Sequence, residues 1–215
     1  MSQPLLELRD VTCERDGYPL FEPVSLTLSA GSVMQLEGPN GVGKTSLLRV
    51  LCGLSSRYQG ELRWRGQPLD RAAFATEVIF LGHATGLKLT LSPRENLRWW
   101  GVLRGFDCTA EIDGALRQVG LLGYEDVPCY QLSAGQQRRV ALARLFTSTA
   151  PLWILDEPFT AIDREGVAQL EEWLLAHAEA GGAVLLTTHQ PLTLPVPLQQ
   201  VGLRPAQGEE YSDNA

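Results

Sequence analysis

Long apolar runs are absent from this chain of 215 residues. No stretch reaches the roughly 18–20 apolar residues that a membrane-spanning helix needs, so we predict no bilayer crossing. The opening segment MSQPLLELRD has charged residues where a secretory signal peptide has its apolar stretch. We therefore expect no secretion by that route.

Cysteine and basic charge are also scarce. The chain has four cysteines, Cys13, Cys52, Cys108 and Cys129. The absence of any C-x-x-C spacing argues against a zinc site, a disulfide framework and covalent haem attachment, and it predicts reduced thiols. With 18 basic against 25 acidic residues the formal net charge is −7, which argues against general nucleic-acid binding. The only lysines are Lys44 and Lys88, so the position of Lys44 is informative.

The chain does contain a regular alternation of strand-length apolar runs and longer stretches with helical periodicity. This alternation predicts an α/β fold with a partly parallel sheet. The first part of the chain is predicted to form antiparallel strands, at Leu5–Val11, Ser25–Leu28 and Val33–Glu37. Later strands are predicted at Glu61–Arg65 (an edge strand), Val78–Leu81, Leu152–Leu155 and Ala183–Thr187. Helices are predicted at Lys44–Cys52 and Arg164–Ala180.

Helical periodicity dominates from about residue 84 to about residue 145. A capping box, Ser92 to Glu95 with proline between, predicts that a helix begins there. We therefore predict one domain over 1–215, with a sheet-based core of about 1–83 and 146–200, a helical insertion of about 84–145, and a short proline-rich tail over 190–215. His177, on a helix rich in glutamate, is predicted to be a solvated surface residue.

A glycine-rich segment between a predicted strand and a predicted helix fits the pattern G-x-x-x-x-G-K-[ST]. Its residues are Gly38, Pro39, Asn40, Gly41, Val42, Gly43, Lys44 and Thr45, and Ser46 follows in the helix. Glycines allow successive backbone N–H groups to face an anion, and the helix N-terminus adds partial positive charge. The pattern predicts that Lys44 reaches the β- and γ-phosphates of a nucleotide and that the Thr45 hydroxyl ligates Mg²⁺.

Two carboxylates end the apolar strand that is predicted at 152–155. We expect Asp156 to hold Mg²⁺, directly or through water. Glu157 is then placed to orient or deprotonate an attacking water. A strand that ends in an acidic turn is common in proteins. The phosphate-binding loop in the same chain favours the metal and base roles for these two carboxylates.

A second anion site is predicted at Leu132-Ser133-Ala134-Gly135-Gln136. Ser133 and Gln136 form a capping box, and a helix N-terminus with an exposed Ser hydroxyl and Gly135 N–H binds anions. One nucleotide is not expected to meet both anion sites of one chain. The economical arrangement is a head-to-tail homodimer, in which Ser133 of one copy meets the γ-phosphate held by Lys44 of the other.

These motifs together resemble the ATP-binding cassette (ABC) ATPases. The stretch LSAGQ is similar to the ABC signature, with Ala134 in place of its first glycine. Asp163, in Ala-Ile-Asp, resembles the D-loop residue that contacts the partner copy, and His189 resembles the switch histidine that senses the γ-phosphate. The resemblance implies an ABC-type P-loop NTPase domain with a RecA-like core, an antiparallel β subdomain and a helical insertion, which uses ATP and Mg²⁺.

Two positions depart from the ABC pattern. Arg15 stands about where ABC proteins place an aromatic residue against adenine, and either its guanidinium plane or the nearby Tyr18 is expected to stack on the base. His83 stands where a glutamine usually touches Mg²⁺ and the attacking water. Imidazole is a poorer Mg²⁺ ligand than an amide oxygen, so we expect His83 to act through water or as a mechanical link to a partner.

The segment Leu81–Lys88, together with Leu91, Glu95-Asn96-Leu97 and Thr187–Gln190, is similar to the haem-exporter ATPases of cytochrome c maturation systems. That resemblance implies a peripheral subunit on the cytoplasmic face of the bacterial inner membrane, with CcmB-like, CcmC-like and CcmD-like integral membrane partners. It implies that ATP hydrolysis powers haem export or release of a haem-loaded periplasmic chaperone. The alternatives are an ABC transporter ATPase for another substrate and a soluble, non-transport ABC ATPase. A P-loop kinase or GTPase is disfavoured by LSAGQ and by the absence of N-K-x-D.

Overall fold

Two five-stranded sheets organise the chain in a computed structural model that describes residues 4–194 and 198–206. The parts of the predicted proline-rich tail at 195–197 and 207–215 lie outside the described residues. No helix within the described ranges is both long and apolar enough to cross a membrane.

Strands and helices alternate along these residues. The strands are β1 (Pro4–Arg15), β2 (Tyr18–Pro19), β3 (Val24–Ser29), β4 (Val33–Glu37), β5 (Tyr58–Trp64), β6 (Gln67–Pro68), β7 (Val78–Leu81), β8 (Leu152–Asp156), β9 (Ala183–Thr187) and β10 (Gln199–Gly202). The helices are α1 (Lys44–Leu51), α2 (Arg71–Glu77), α3 (Pro93–Leu103), α4 (Ile112–Gln118), α5 (Ala134–Ala143) and α6 (Arg164–Glu179). The predicted strands and helices are present, with ends that differ by a few residues, whereas β2, β6, α2 and β10 are additional.

The central sheet is parallel throughout, with strand order β10-β4-β9-β8-β7. The prediction that β4 is antiparallel is wrong, because Met34 and its neighbours pair in parallel with β9 and β10. Residues 33–36 of β4 are buried on both faces, which is typical of a parallel strand covered by helices. Its parallel neighbours β9 and β10 are reached only through long connections, as parallel pairing requires.

The antiparallel sheet is built around the long strand β1, which pairs with β2, β3 and β5. The prediction of an edge strand at 61–65 is not met in full, because β6 pairs with Arg63 and Trp64 on the outer side of β5. Arg15 ends β1 opposite Tyr18. The sheet therefore brings the loop at 15–18 to one side of the molecule, next to the α1 N-terminus.

Apolar side chains form two cores, one on each face of the parallel sheet. Along β8, Leu152 and Ile154 belong to the core shared with the antiparallel sheet and α1, while Trp153 and Leu155 belong to the core under the other helices. This alternation follows from the two-residue period of a strand. Burial on both faces fixes the register of β8 and thereby the position of the carboxylates at its end.

The helices α3, α4 and α5 lie between β7 and β8 in the chain, where the helical insertion is predicted. The predicted capping box of α3 is present, since Glu95 N donates to Ser92 Oγ at 3.2 Å and Ser92 N donates to Glu95 Oε2 at 2.8 Å. Helix α2, which the sequence analysis does not predict, is capped by Asp70, whose Oδ1 accepts from Ala72 N at 2.9 Å.

His177 is not a solvated surface residue. Its ring stacks on the Trp153 indole with 3.9 Å between ring centroids and 8° between planes, and its Nε2 lies 3.3 Å from the Pro151 carbonyl oxygen. Gly182 makes room for the ring, because a Cβ there would lie 2.3 Å from Nε2. Burial lowers the pKa of His177 and favours the neutral ring.

Candidate active site

The carboxyl ends of β4, β8 and β9 meet at one edge of the parallel sheet, which is where ligands of open α/β sheets bind. A cavity of about 280 Å³ opens there. It is lined by Arg15, Asn40, Gly41, Gly43, Lys44, Thr45, Ser46, Asp156, Glu157 and His189. Parallel pairing of β4 with β9 thus brings together residues that lie about 150 positions apart, such as Asn40 and His189.

The loop between β4 and α1 has the backbone that its glycines predict. Gly38, Gly41 and Gly43 all have positive φ angles, of 145°, 80° and 110°. A Cβ on Gly38 would lie 2.8 Å from the Leu203 carbonyl oxygen, a backbone atom that cannot rotate away. Within the loop Pro39 and Asn40 are exposed, while Val42 is buried and anchors it.

Lys44 begins α1 and folds back over the loop. Its Nζ donates to the Gly38 carbonyl at 2.6 Å and to the Pro39 carbonyl at 3.1 Å. The ammonium group therefore lies at the cavity next to the N-terminus of α1, whose first N–H groups carry partial positive charge. This concentration of positive potential suits a phosphate group.

Asp156 is 2% exposed, and each of its carboxylate oxygens accepts one hydroxyl. Thr45 Oγ1 donates to Oδ2 and Thr187 Oγ1 donates to Oδ1, both at 2.8 Å. Thr45 on α1 and Asp156 on β8 both line the cavity. Their oxygens are hard donors, the ligand type that Mg²⁺ prefers. The described residues contain no group of three or more His, Cys, Asp or Glu that could hold a metal. The donor set fits a Mg²⁺ that takes its other ligands from water and phosphate oxygens.

Glu157 has a left-handed backbone, with φ of 50°. Its N–H donates to Thr187 Oγ1 at 3.0 Å and lies 3.2 Å from the Thr187 carbonyl oxygen, and its own carbonyl accepts from Arg138 Nη2 at 2.8 Å. Its Oε1 lies 3.4 Å from His189 Nε2. The carboxylate is 22% exposed and the imidazole 61% exposed, so both groups are accessible from the cavity.

The turn that carries His189 is held from β4. Gln35 is buried, and its Nε2 donates to the Thr188 carbonyl at 3.3 Å. The Thr188 hydroxyl accepts from Gln190 N at 3.0 Å, which closes the turn on its other side. His189 therefore projects from a backbone that is fixed on both sides.

The signature residues lie outside this cavity. Ser133 and Gln136 form the predicted capping box, with Gln136 N donating to Ser133 Oγ at 3.2 Å and Ser133 N donating to Gln136 Oε1 at 2.9 Å. Ser133 is exposed, and Gly135 lies against Ala161, because a Cβ there would be 3.2 Å from the Ala161 carbonyl oxygen. Asp163 caps α6 by accepting from Gly166 N at 2.9 Å.

The two departures from the ABC pattern are placed differently. Arg15 lines the cavity, while Tyr18 beside it is 69% exposed and does not. His83 lies in an exposed bend after β7 and does not line the cavity either. The structure thus places Arg15 in the lining of the cavity and His83 outside it.

Two residues that the sequence analysis does not assign to the site prove central to its geometry. Thr187 links Asp156 to the Glu157 backbone through a single hydroxyl. Arg138 reaches Glu157 from α5. A signal for Arg138 exists in the sequence, because Ala141, Leu142 and Leu145 follow it at helical spacing and place it on the buried face of α5.

Comparison with known proteins gives consistent results. A family model described as ABC transporter matches residues 21–160. The chain is 52% identical over 197 residues to the cytochrome c biogenesis ATP-binding export protein CcmA of Saccharophagus degradans, covering 87% of this chain and 88% of that protein. It is 53% identical over 202 residues to the CcmA of Hahella chejuensis, covering 93% and 96%.

Solved structures show the same fold. A protein from Pyrococcus furiosus, described as an ABC transporter ATP-binding protein, superposes with a TM-score of 0.79 at 28% identity, over 92% of this chain and 96% of that one. A second, described as the ATP-binding subunit of an ABC transporter, gives a TM-score of 0.77 at 24% identity. The predicted α/β fold with an antiparallel sheet and a helical insertion is confirmed.

Proposed function

This chain belongs to the ABC transporter family and, within it, to the cytochrome c biogenesis ATP-binding export proteins, and from that premise we propose how its residues hydrolyse ATP and what they power. One observation carries the proposal. Lys44, Thr45, Asp156, Glu157 and His189 surround a single cavity at the carboxyl edge of the parallel sheet. One phosphate chain in this cavity can therefore meet an ammonium group, oxygen ligands for a metal, a carboxylate base and an imidazole.

The chain's own residues divide the work of binding. The backbone N–H groups of residues 40–46 and the Lys44 ammonium group bind the β- and γ-phosphates, and Arg15 supports the adenine. Thr45 Oγ1 and Asp156 would hold Mg²⁺, which when bound neutralises developing charge on the phosphate oxygens. Because Asp156 already orients the Thr45 hydroxyl, little rearrangement is needed for these two groups.

Glu157 acts as the general base. Its carboxylate takes a proton from the water that attacks the γ-phosphorus, as the bond from that phosphorus to the bridging oxygen of ADP breaks. His189, 3.4 Å from Glu157, donates a hydrogen bond to the γ-phosphate and thereby senses its presence. Release of inorganic phosphate removes that contact.

The second half of the site comes from another copy of the chain. Ser133, Gly135 and Gln136 lie at an exposed helix N-terminus away from the cavity of their own chain, and Asp163 lies at the neighbouring α6 N-terminus. In a head-to-tail homodimer they would close the site of the partner. Closing and opening of the dimer with each turnover would pull on a membrane partner.

The relatives' name supports an assignment to cytochrome c biogenesis over transport of another substrate or a non-transport role. We propose a peripheral subunit on the cytoplasmic face of the bacterial inner membrane, bound to CcmB-like, CcmC-like and CcmD-like membrane subunits. Its ATP hydrolysis would drive haem export or release of the haem-loaded periplasmic chaperone. His83, exposed after β7, would transmit the nucleotide state to that partner.

Affinity purification from detergent-solubilised membranes of the source cells tests this assignment. We expect haem-handling integral membrane proteins to co-purify with the tagged chain, and we expect loss of mature c-type cytochromes when Lys44 is replaced by alanine. Co-purification with a permease for another solute, or normal cytochrome maturation in the variant, would refute it. Replacing His83 by Gln should leave the affinity for ATP nearly intact.

A further inference from the structure

Arg138 is a buried cation that uses all three of its guanidinium nitrogens on backbone carbonyls. The residue is 3% exposed. Its Nη2 donates to the Glu157 carbonyl at 2.8 Å, its Nη1 to the Gly82 carbonyl at 3.0 Å, and its Nε to the Pro158 carbonyl at 3.3 Å. One side chain on α5 therefore joins the end of β8 to the end of β7.

No carboxylate among the described residues lies within ion-pairing distance of Arg138. Burial lowers its pKa, and the nearby charges of Asp156 and Glu157 act in the opposite direction. A buried charge without an ion-pair partner costs stability that an apolar side chain of similar volume would not. Three hydrogen bonds to carbonyl oxygens offset part of this cost.

The hydrogen bond from Arg138 to the Glu157 carbonyl bears on the candidate site itself. A non-glycine residue with φ of 50° is strained unless its surroundings hold it. The Glu157 N–H is held by Thr187, at 3.0 Å from Oγ1, and the Glu157 carbonyl is held by Arg138. Both sides of the residue are thus fixed, and the direction in which its carboxylate points toward the cavity follows from them.

We infer that Arg138 is a positioning residue for Glu157. It couples the direction of the Glu157 carboxylate to the position of the signature helix α5 and to the turn before His83. The inference rests on the proposed role of Glu157 as general base. Ser133 stands at the N-terminus of the same helix, five positions before Arg138. A shift of α5 when Ser133 engages the partner's nucleotide would move the Glu157 carbonyl and the Gly82 carbonyl together.

Steady-state ATP hydrolysis by the Arg138→Met variant tests the inference, using the full chain purified with its co-purifying membrane subunits. A misplacement of the base by about 1 Å lowers kcat by about 100-fold. We expect a kcat loss of about 10- to 100-fold, with a KM for ATP within about 3-fold of wild type, because the nucleotide-binding loop is untouched.

Arg144→Met is the matched control. Arg144 is also on the buried side of this segment, at 6% exposure, and its Nη2 donates to the Gly86 carbonyl at 3.1 Å, away from Glu157. The two variants make the same buried change from arginine to methionine. We expect Arg144→Met to keep kcat within about 3-fold of wild type at a comparable change in unfolding temperature.

Two further variants distinguish positioning from folding. In a Glu157→Gln background, Arg138→Met should cause no further loss of the residual rate, because residues that act as a unit are non-additive. Arg138→Lys keeps a buried cationic donor that can reach only part of this set of carbonyls, and it should restore part of the kcat that Arg138→Met loses. If Arg138→Met fails to fold, the Lys variant and its Glu157→Gln double mutant still provide the comparison.

Several results would overturn the inference while leaving the proposed function intact. These are wild-type kcat in Arg138→Met, equal kcat losses in Arg138→Met and Arg144→Met, and an undiminished effect of Arg138→Met on top of Glu157→Gln. Failure of the proposed function looks different, since the wild-type complex would then hydrolyse no ATP, or Glu157→Gln would hydrolyse it at the wild-type rate.

Discussion

Replacing Thr187 by valine removes the one hydroxyl that joins Asp156 to the Glu157 backbone. Thr187 is fully buried, and valine has nearly the same shape, so packing is preserved. The hydroxyl donates to Asp156 Oδ1 at 2.8 Å, and a hydrogen bond to a charged group contributes about 1.5–3 kcal/mol. The Glu157 N–H keeps a backbone acceptor, the Thr187 carbonyl at 3.2 Å, so no second orphaned group is created.

We therefore expect Thr187→Val to lower the free energy of unfolding by about 2 kcal/mol. For a chain of this size that change corresponds to a drop in Tm of roughly 4–8 °C. Urea unfolding followed by circular dichroism measures it, and the m-value should stay constant because the exposed surface on unfolding is unchanged.

Thr187→Ser is the control, because it keeps the hydroxyl and removes one buried methyl group. Its expected cost is about 0.8 kcal/mol, from lost apolar burial. A free energy of unfolding for Thr187→Val within about 0.5 kcal/mol of wild type, or a serine variant that is less stable than the valine variant, would contradict this prediction.

Three further predictions concern the loop, the half-buried His177 and the Cys13 thiol. Gly38→Ala should lower the affinity for ATP and cost about 1–3 kcal/mol of stability, because φ is 145° and the new Cβ would meet the Leu203 carbonyl; nucleotide titration at unchanged affinity would contradict it. Burial lowers the pKa of His177, so the unfolded state binds more protons and stability is complete above about pH 6.5 and lost as pH falls. Urea unfolding should show that the free energy of unfolding falls less between pH 8 and pH 5.5 in His177→Gln than in wild type. Equal losses would exclude His177 as a cause. Burial raises the pKa of Cys13 to about 12, so its thiol should react with a thiol reagent at pH 8 only after unfolding; immediate labelling in the native protein would contradict that expectation.

The features that the sequence analysis predicts well are those that a short segment specifies by itself. The phosphate-binding loop needs glycines at set positions, and the observed φ angles of Gly38, Gly41 and Gly43 are the positive ones that such a loop requires. The two capping boxes at Ser92 and Ser133 likewise depend on residues three positions apart. Local chemistry is sufficient to predict each of them.

The features that it misses depend on partners far away in the chain. Strand β4 follows an antiparallel region in sequence, but its neighbours β9 and β10 lie about 150 residues later. His177 looks solvated among its helical neighbours, yet Trp153 and Gly182 enclose its ring. Strand β10 is short and polar, and only its pairing with β4 makes it a strand.

The direction of the Glu157 carboxylate also depends on residues far away in the chain. Its position at a strand end is predictable, whereas its left-handed backbone is held by Thr187 and Arg138 from two other elements. Nothing within a few residues of Glu157 reveals either contact. The site's residue types are thus predictable from the sequence, and the contacts that orient them are not.

Interchain cross-linking tests the central claim that two copies enclose each ATP. Cysteines introduced at the exposed positions Asn40 and Ser133 of the Glu157→Gln chain, within its membrane complex, can be joined by a short bifunctional maleimide. Three of the native cysteines are buried and the fourth is half-buried with a raised thiol pKa, so the background should be low. We predict a product of twice the chain mass that requires ATP and both cysteines; its absence at saturating ATP, or its formation equally without nucleotide, would contradict the account.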